Sequence, residues 1–156
     1  MKGDLEVSEH NQYCTFFVAD RFFGVNVKRV QEVIRYQEMT RVPLASPVIS
    51  GLINLRGQIV TALDMRARLG LPPRPAGHLP MNVVVRTDDG AVSLLVDEIG
   101  DVVEVEDANR ERVPETLTAA ARDLIAGVCK LKGRLLLVLD TERAIAETAH
   151  ASRLVG

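Results

Sequence analysis

Two aspartates, Asp64 and Asp140, each close an apolar run (TALD and LVLD) and are the one pair of carboxylates that recurs in matching sequence surroundings. Two related acids that share a proton can drive hydrolysis. That chemistry needs a glycine-flanked loop, whereas each aspartate here runs straight into helix-forming residues, where a carboxylate accepts hydrogen bonds from free N–H groups. Helix capping is therefore the expected role, and an aspartate-dependent hydrolase stays as the alternative from another class. His10 and His150 lie near the ends and His78 in a proline-rich stretch, none with Cys, Asp or Glu at ligand or nucleophile-base spacing. Cys14 and Cys129 sit in separate apolar runs without CxxC spacing, so buried, reduced thiols are expected. Neither GxGxxG after a strand nor GxxxxGK[ST] occurs, which leaves nucleotide phosphates without a cradle. The acidic stretch Asp97 to Asp107 lacks the spacing and central glycine of a calcium loop and reads as a solvated edge. No catalytic residue, metal site or cofactor is expected.

The elements that hold these residues must come from a chain of 156 residues, the size of one domain or of two very small ones with a common core. Net charge is −2, which removes the electrostatic attraction behind nonspecific nucleic-acid or anionic-membrane binding. No apolar segment resembles a signal peptide or a membrane span, so a cytoplasmic location without membrane insertion is expected. With 21 Val and 7 Ile against six aromatics and no Trp, a β-branched core is expected, hence a mainly β fold.

Tyr13 to Ala19 and Phe22 to Val27 read as a hairpin, followed by a helical turn that leads into a strand through Val30 and Val33. Ile49 to Leu55 and Ile59 to Leu63 form a second hairpin, with Arg56 and Gly57 at its turn. Asp64 caps a short helix that stops at Gly70. Leu71 to Pro80 holds four of the seven prolines and is a linker or crossover. Met81 to Thr87 pairs with Ala91 to Val96, and Asn109 to Thr118 is polar and irregular. Leu124 to Leu131 pairs with Leu135 to Leu139 around Gly133, and Asp140 caps a closing helix.

Gly51 to Asp64 laid over Gly127 to Asp140 gives five identities in fourteen positions, among them Gly57 on Gly133 and Asp64 on Asp140. Upstream, Cys14 to Ile34 lies over Val83 to Val103 in one register, with Val30 on Ile99 and Val33 on Val102. Two related β units follow, each too small to bury much alone, so a common core and closed sheets are expected. Charge is not repeated: Lys28 and Arg29 overlie Asp97 and Glu98, and residues 1–78 carry +3 where 79–156 carry −5. Drift on solvated faces and a separate partner for each unit both fit that difference.

FFGVNVKRVQEVI (22–34), GLINLRGQIVTALDMRARLGL (51–71), VSLLVDEIGDVVEV (92–105) and the final LLLVLD hairpin resemble the bacterial chemotaxis coupling proteins of the CheW-like family. The resemblance implies two intertwined five-stranded SH3-like β-barrels with short helices and a C-terminal helix. It spans 13–146 as one domain of two related β-barrel subdomains near 14–70 and 81–140, strand exchange allowed, with tails at 1–12 and 147–156. It implies a non-catalytic adaptor between the regulatory domain of a CheA-type histidine kinase and the cytoplasmic hairpin tip of a chemoreceptor. A coupler for a pilus-based or other non-flagellar array is the nearby alternative. Carried over, the receptor-binding residues are Val27, Val30, Glu32, Arg56, Gly57, Ile59, Val83 and Val102, with Glu32 paired to Arg56. Kinase contacts fall to turn residues at the barrel ends. Gly57, Asp64, Gly133 and Asp140 are the structural turns and caps. The chain departs from the family pattern at Ser93, where many members carry glycine, and in its proline-rich linker.

Overall fold

Short apolar runs bounded by tight turns become strands joined as hairpins. The computed structural model describes residues 11–106 and 109–146. In chain order these hold β1 (Gln12–Val18), β2 (Arg21–Asn26), a 3-10 turn (Val27–Arg29), β3 (Val30–Ile34), β4 (Ile49–Leu55) and β5 (Gln58–Asp64). Then come α1 (Met65–Arg68), β6 (Met81–Thr87), β7 (Gly90–Val96), β8 (Glu98–Glu104) and β9 (Arg110–Glu111). The chain continues with α2 (Ala119–Asp123), β10 (Ile125–Leu131) and β11 (Arg134–Leu139), and a helix α3 over residues 141–146. The fold is mainly β. The expected tails lie outside the described residues except for 11 and 12.

One sheet has the order β8-β1-β2-β11-β10-β9 and the other β3-β6-β7-β5-β4. Neither sheet is built from one half of the chain: each takes a hairpin from the other half. The exchange is reciprocal and keeps the register of the sequence repeat. Thr61 pairs with Val92 in the parallel β5–β7 ladder, and the equivalent Leu137 pairs with Phe23 in the parallel β11–β2 ladder. Val33 pairs with Val83, and Val102 with Cys14, on the two antiparallel outer ladders. The six-stranded sheet exceeds the expected five by β9, two residues that lie on β10. At the same place in the five-stranded sheet, Thr40 and Leu52 exchange two backbone hydrogen bonds of 2.8 Å, which closes its edge.

Each sheet curls around a small cluster of its own, Tyr13, Val105, Cys129 and Leu136 in one and Ile53, Leu55, Val60 and Val84 in the other. Between them lies a larger shared core to which Phe16, Val18, Phe23 and Val25 come from the first sheet and Leu63, Val83, Val85 and Leu94 from the second. Each fully buried side chain of this size stabilises the fold by about 1.5–3 kcal/mol.

Two local features were not legible in the sequence. Residues 119–123 are helical, because the Thr118 side chain accepts from the Ala121 N–H and starts a turn that the polar run before it obscured. Ser93 is fully buried: its hydroxyl donates to Asn82 Oδ1 at 2.7 Å, and Asn82 Nδ2 donates to the Arg35 carbonyl. Among the described residues, no helix is long and apolar enough to cross a membrane.

Candidate docking site

Asp64 Oδ1 accepts from the Arg66 N–H at 3.1 Å and Asp140 Oδ1 from the Arg143 N–H at 3.1 Å, each at the start of its own helix. Both are caps, and their separate placement at two helix starts removes the paired-acid geometry of a hydrolase. Gly57 and Gly133 sit in their hairpin turns with φ of +89° and +78°, a region that costs a side-chain-bearing residue energy.

The two turns differ in one respect. Arg56, unlike Lys132, also takes a left-handed conformation (φ +52°), so the Arg56-Gly57 pair has positive φ at both positions, as a two-residue type I′ hairpin turn requires. Strain of this kind persists where surrounding contacts fix it. Here Asn54 Oδ1 accepts from the Gly57 N–H at 2.8 Å, and the Arg56 guanidinium donates to both oxygens of Glu32, at 3.0 and 2.5 Å. The bidentate geometry sets the plane of the guanidinium, which remains largely in solvent. An exposed pair contributes little to stability, on the order of 0–1 kcal/mol, so its effect is the shape and charge of the surface it fixes.

Around this pair the structure gathers Gly57 and Ile59, the latter 61% exposed beside the turn. Val27 and Val30 are half-buried on the 3-10 turn and the start of β3. Val83 is not on the surface. At 1% exposure it belongs to the shared core, because β6 lies inside β3 and only the outer member of the Val33–Val83 pair reaches solvent. Val102, 58% exposed, lies on β8 at the edge of the other sheet, away from the strands that carry Glu32 and Arg56. Besides Leu44 and Leu79 in connecting segments, the carried-over set omits the exposed Val33 and Leu135, the repeat partners of Val102 and Ile59. The repeat register was the signal that could have found them.

Asp97 is a further correction, since it is not part of a solvated edge. Its carboxylate accepts from Arg66 Nε and Nη2 (3.1 and 2.7 Å) and from the Ala19 N–H at 2.5 Å, and it pairs with Arg74 Nε at 2.7 Å. Burial pushes this carboxyl up, but the Arg66 and Ala19 hydrogen bonds and the charges of Arg74 and Arg66 outweigh it and hold the group below the usual aspartate range. Burial raises the Cys14 thiol, which disfavours its thiolate. Among the described residues, no group of three or more His, Cys, Asp or Glu is placed to hold a metal ion.

The profile of the CheW-like domain matches residues 12–149. The chemotaxis protein CheW of Bacillus subtilis (strain 168) is 29% identical over 147 residues, which cover 94% of either chain. The probable chemotaxis protein CheW of Rhizobium etli is 29% identical over 133 residues, 85% of this chain and 86% of its own. The scaffolding protein TtCheW from Thermoanaerobacter tengcongensis superposes with a TM-score of 0.74 at 23% identity, over 83% of this chain and 88% of that one, and so shares the fold. With a profile match across most of its length, the chain belongs to the CheW-like family, whose members are scaffolding proteins of chemotaxis and not enzymes.

Proposed function

We propose that this chain is a cytoplasmic adaptor that couples the regulatory domain of a CheA-type histidine kinase to the cytoplasmic hairpin tip of chemoreceptors. The observation that carries the reading is the Glu32–Arg56 pair, held at a strained, exposed turn where it adds little to stability. The carried-over receptor residues that reach the surface, Val27, Val30, Glu32, Arg56, Gly57, Ile59 and Val102, form the proposed receptor face, and the buried Val83 leaves the set. A receptor helix presents an apolar stripe and is matched by exposed aliphatic side chains, here Ile59 and Val102, while the fixed Glu32–Arg56 pair sets the charge beside them. The kinase domain takes turn residues at the barrel ends. Each contact alone is weak, and arrayed copies raise the effective concentration of the next partner.

Co-purification with a receptor-tip fragment and a kinase regulatory-domain fragment tests this reading. Both should bind the unaltered chain; Arg56→Glu and Val102→Asp should each weaken binding of the receptor fragment and leave the kinase fragment bound. Binding of neither fragment by the unaltered chain refutes the adaptor reading, and variants that keep the receptor fragment refute the receptor face.

A further inference from the structure

The residues before and after the linker 71–80 form two halves that are held to each other by four ladders: β1–β8, β2–β11, β3–β6 and β5–β7. Every one of these pairs a strand from 11–70 with a strand from 81–146. The polar contacts of Arg68 with the Ala144 and Arg143 carbonyls, of Arg86 with the Lys28 and Val30 carbonyls, and of Asn82 with the Arg35 carbonyl also cross between the halves. None of them requires both halves to come from one chain. If two copies exchanged second halves, each contact would form again, and only the ten linking residues would change course.

Those ten residues are folded back by specific contacts. His78 N–H donates to the Pro75 carbonyl at 3.2 Å across a reverse turn in which Gly77 has φ +87°. Arg66 Nη1 donates to the carbonyls of Pro72 and Pro73. Arg74, mostly buried, pairs with Asp64 of the first half at 3.2 Å and with Asp97 of the second at 2.7 Å, and donates to the Leu95 carbonyl. Against these contacts stand four prolines that favour an extended chain, in which ten residues span about 31 Å.

We infer that the linker is a hinge for reciprocal exchange of halves between two copies of this chain, and that the strap centred on Arg74 holds it closed as a monomer. Opening gives up the strap alone and keeps both sheets, so the balance depends on the strap and on protein concentration.

The test uses Val102→Cys, which faces Cys14 in the antiparallel β1–β8 ladder across the two halves, with Cys129→Ala to remove the other thiol. Cross-strand pairs stand at a Cα separation that a disulfide accepts. In a closed monomer the oxidised bond stays within one chain; in an exchanged dimer it joins two. In this background, Arg74→Ala with Gly77→Pro removes the strap and forbids the turn. After refolding at high concentration, the altered hinge should raise the fraction of double-mass species by roughly tenfold, the change expected from loss of one or two hydrogen bonds. On a non-reducing gel that species should run as two joined chains. Deletion of residues 75–78 tests the same hinge where the double substitution does not fold, and should give an exchanged dimer. An altered hinge that stays monomeric, or a dimer whose disulfides lie within each chain, overturns the inference.

Discussion

Arg66 and Glu142 stand at equivalent points of the two halves, two residues after the capping aspartates, and carry opposite charges that answer opposite charges on the strand-linking steps. Arg66 binds Asp97 with its closest contact at 2.7 Å, and Glu142 pairs with Arg29 at 3.2 Å, beside Lys28, the counterpart of Asp97. The step after β2 is basic and meets an acid; the step after β7 is acidic and meets a base. The charge inversion between the halves is thus, at these positions, an internal complement. Its two versions differ in depth, since Arg29 and Glu142 lie in solvent whereas Arg66 and Asp97 are largely buried.

That difference in depth predicts unequal consequences. Asp97→Ala leaves Arg66 without its ion-pair partner, Arg74 with Asp64 alone and the Ala19 N–H without an acceptor, and should cost about 2–4 kcal/mol in urea unfolding. Glu142→Ala removes an exposed pair and should cost about 0.5 kcal/mol or less. Equal losses would place the two pairs in the same environment, against the geometry.

The Asp97 contribution should also depend on pH. Its folded pKa lies below the ordinary aspartate value of 3.8, so the folded state favours the carboxylate. The stabilisation is complete above that value and is lost as pH falls through the folded pKa. The stability difference between the unaltered chain and Asp97→Asn should therefore be constant from pH 5 upward and shrink below about 3.8. A gap that widens on acidification would reverse the sign of the linkage.

Much of the local structure was legible because its causes are local. Asp64 and Asp140 cap where an acid precedes helix formers, and Gly57 and Gly133 mark the turns. Which strands lie beside each other was not, because the partners are far apart in sequence: Phe23 meets Leu137, and Thr61 meets Val92. The same distance hid the partners of Asp97, so its acidic neighbours suggested solvent. Val83 looked like its neighbours in a run of three valines. Its burial follows from β3 lying outside β6, a relation set by tertiary pairing. The Glu32–Arg56 pair came from family likeness, and neither composition nor spacing would have joined residues 24 positions apart.

Val83 and Val102 should separate core from surface in one experiment. Val83→Ala removes two buried methyl groups and should cost about 2 kcal/mol, whereas Val102→Ala should stay within about 0.5 kcal/mol. Thermal unfolding of the two variants checks both. A stable Val83 variant would return that residue to the exposed set.

Arg56 offers a different contrast. Arg56→Gly relieves a left-handed side-chain residue and gives up an exposed ion pair, two small terms of opposite sign. Its melting temperature should match or slightly exceed that of the unaltered chain, while co-purification with the receptor fragment weakens. Stability and binding that fell together would make the pair part of the scaffold.

Gly51 and Gly127, identical in the repeat, should respond unequally to the same methyl group. A Cβ on Gly51 would stand 2.7 Å from the Thr40 carbonyl oxygen, on the backbone segment that closes the five-stranded sheet. A Cβ on Gly127 would meet only the Arg110 Nη1 at 3.3 Å, the far end of a flexible side chain. Backbone cannot yield without loss of the paired hydrogen bonds between Thr40 and Leu52, whereas a guanidinium can turn aside. Gly51→Ala should therefore cost at least about 2 kcal/mol and raise hydrogen exchange at Thr40 and Leu52, and Gly127→Ala should change stability by less than about 1 kcal/mol. Slow exchange at Thr40 in the first variant would mean that the sheet is closed by contacts other than this bridge.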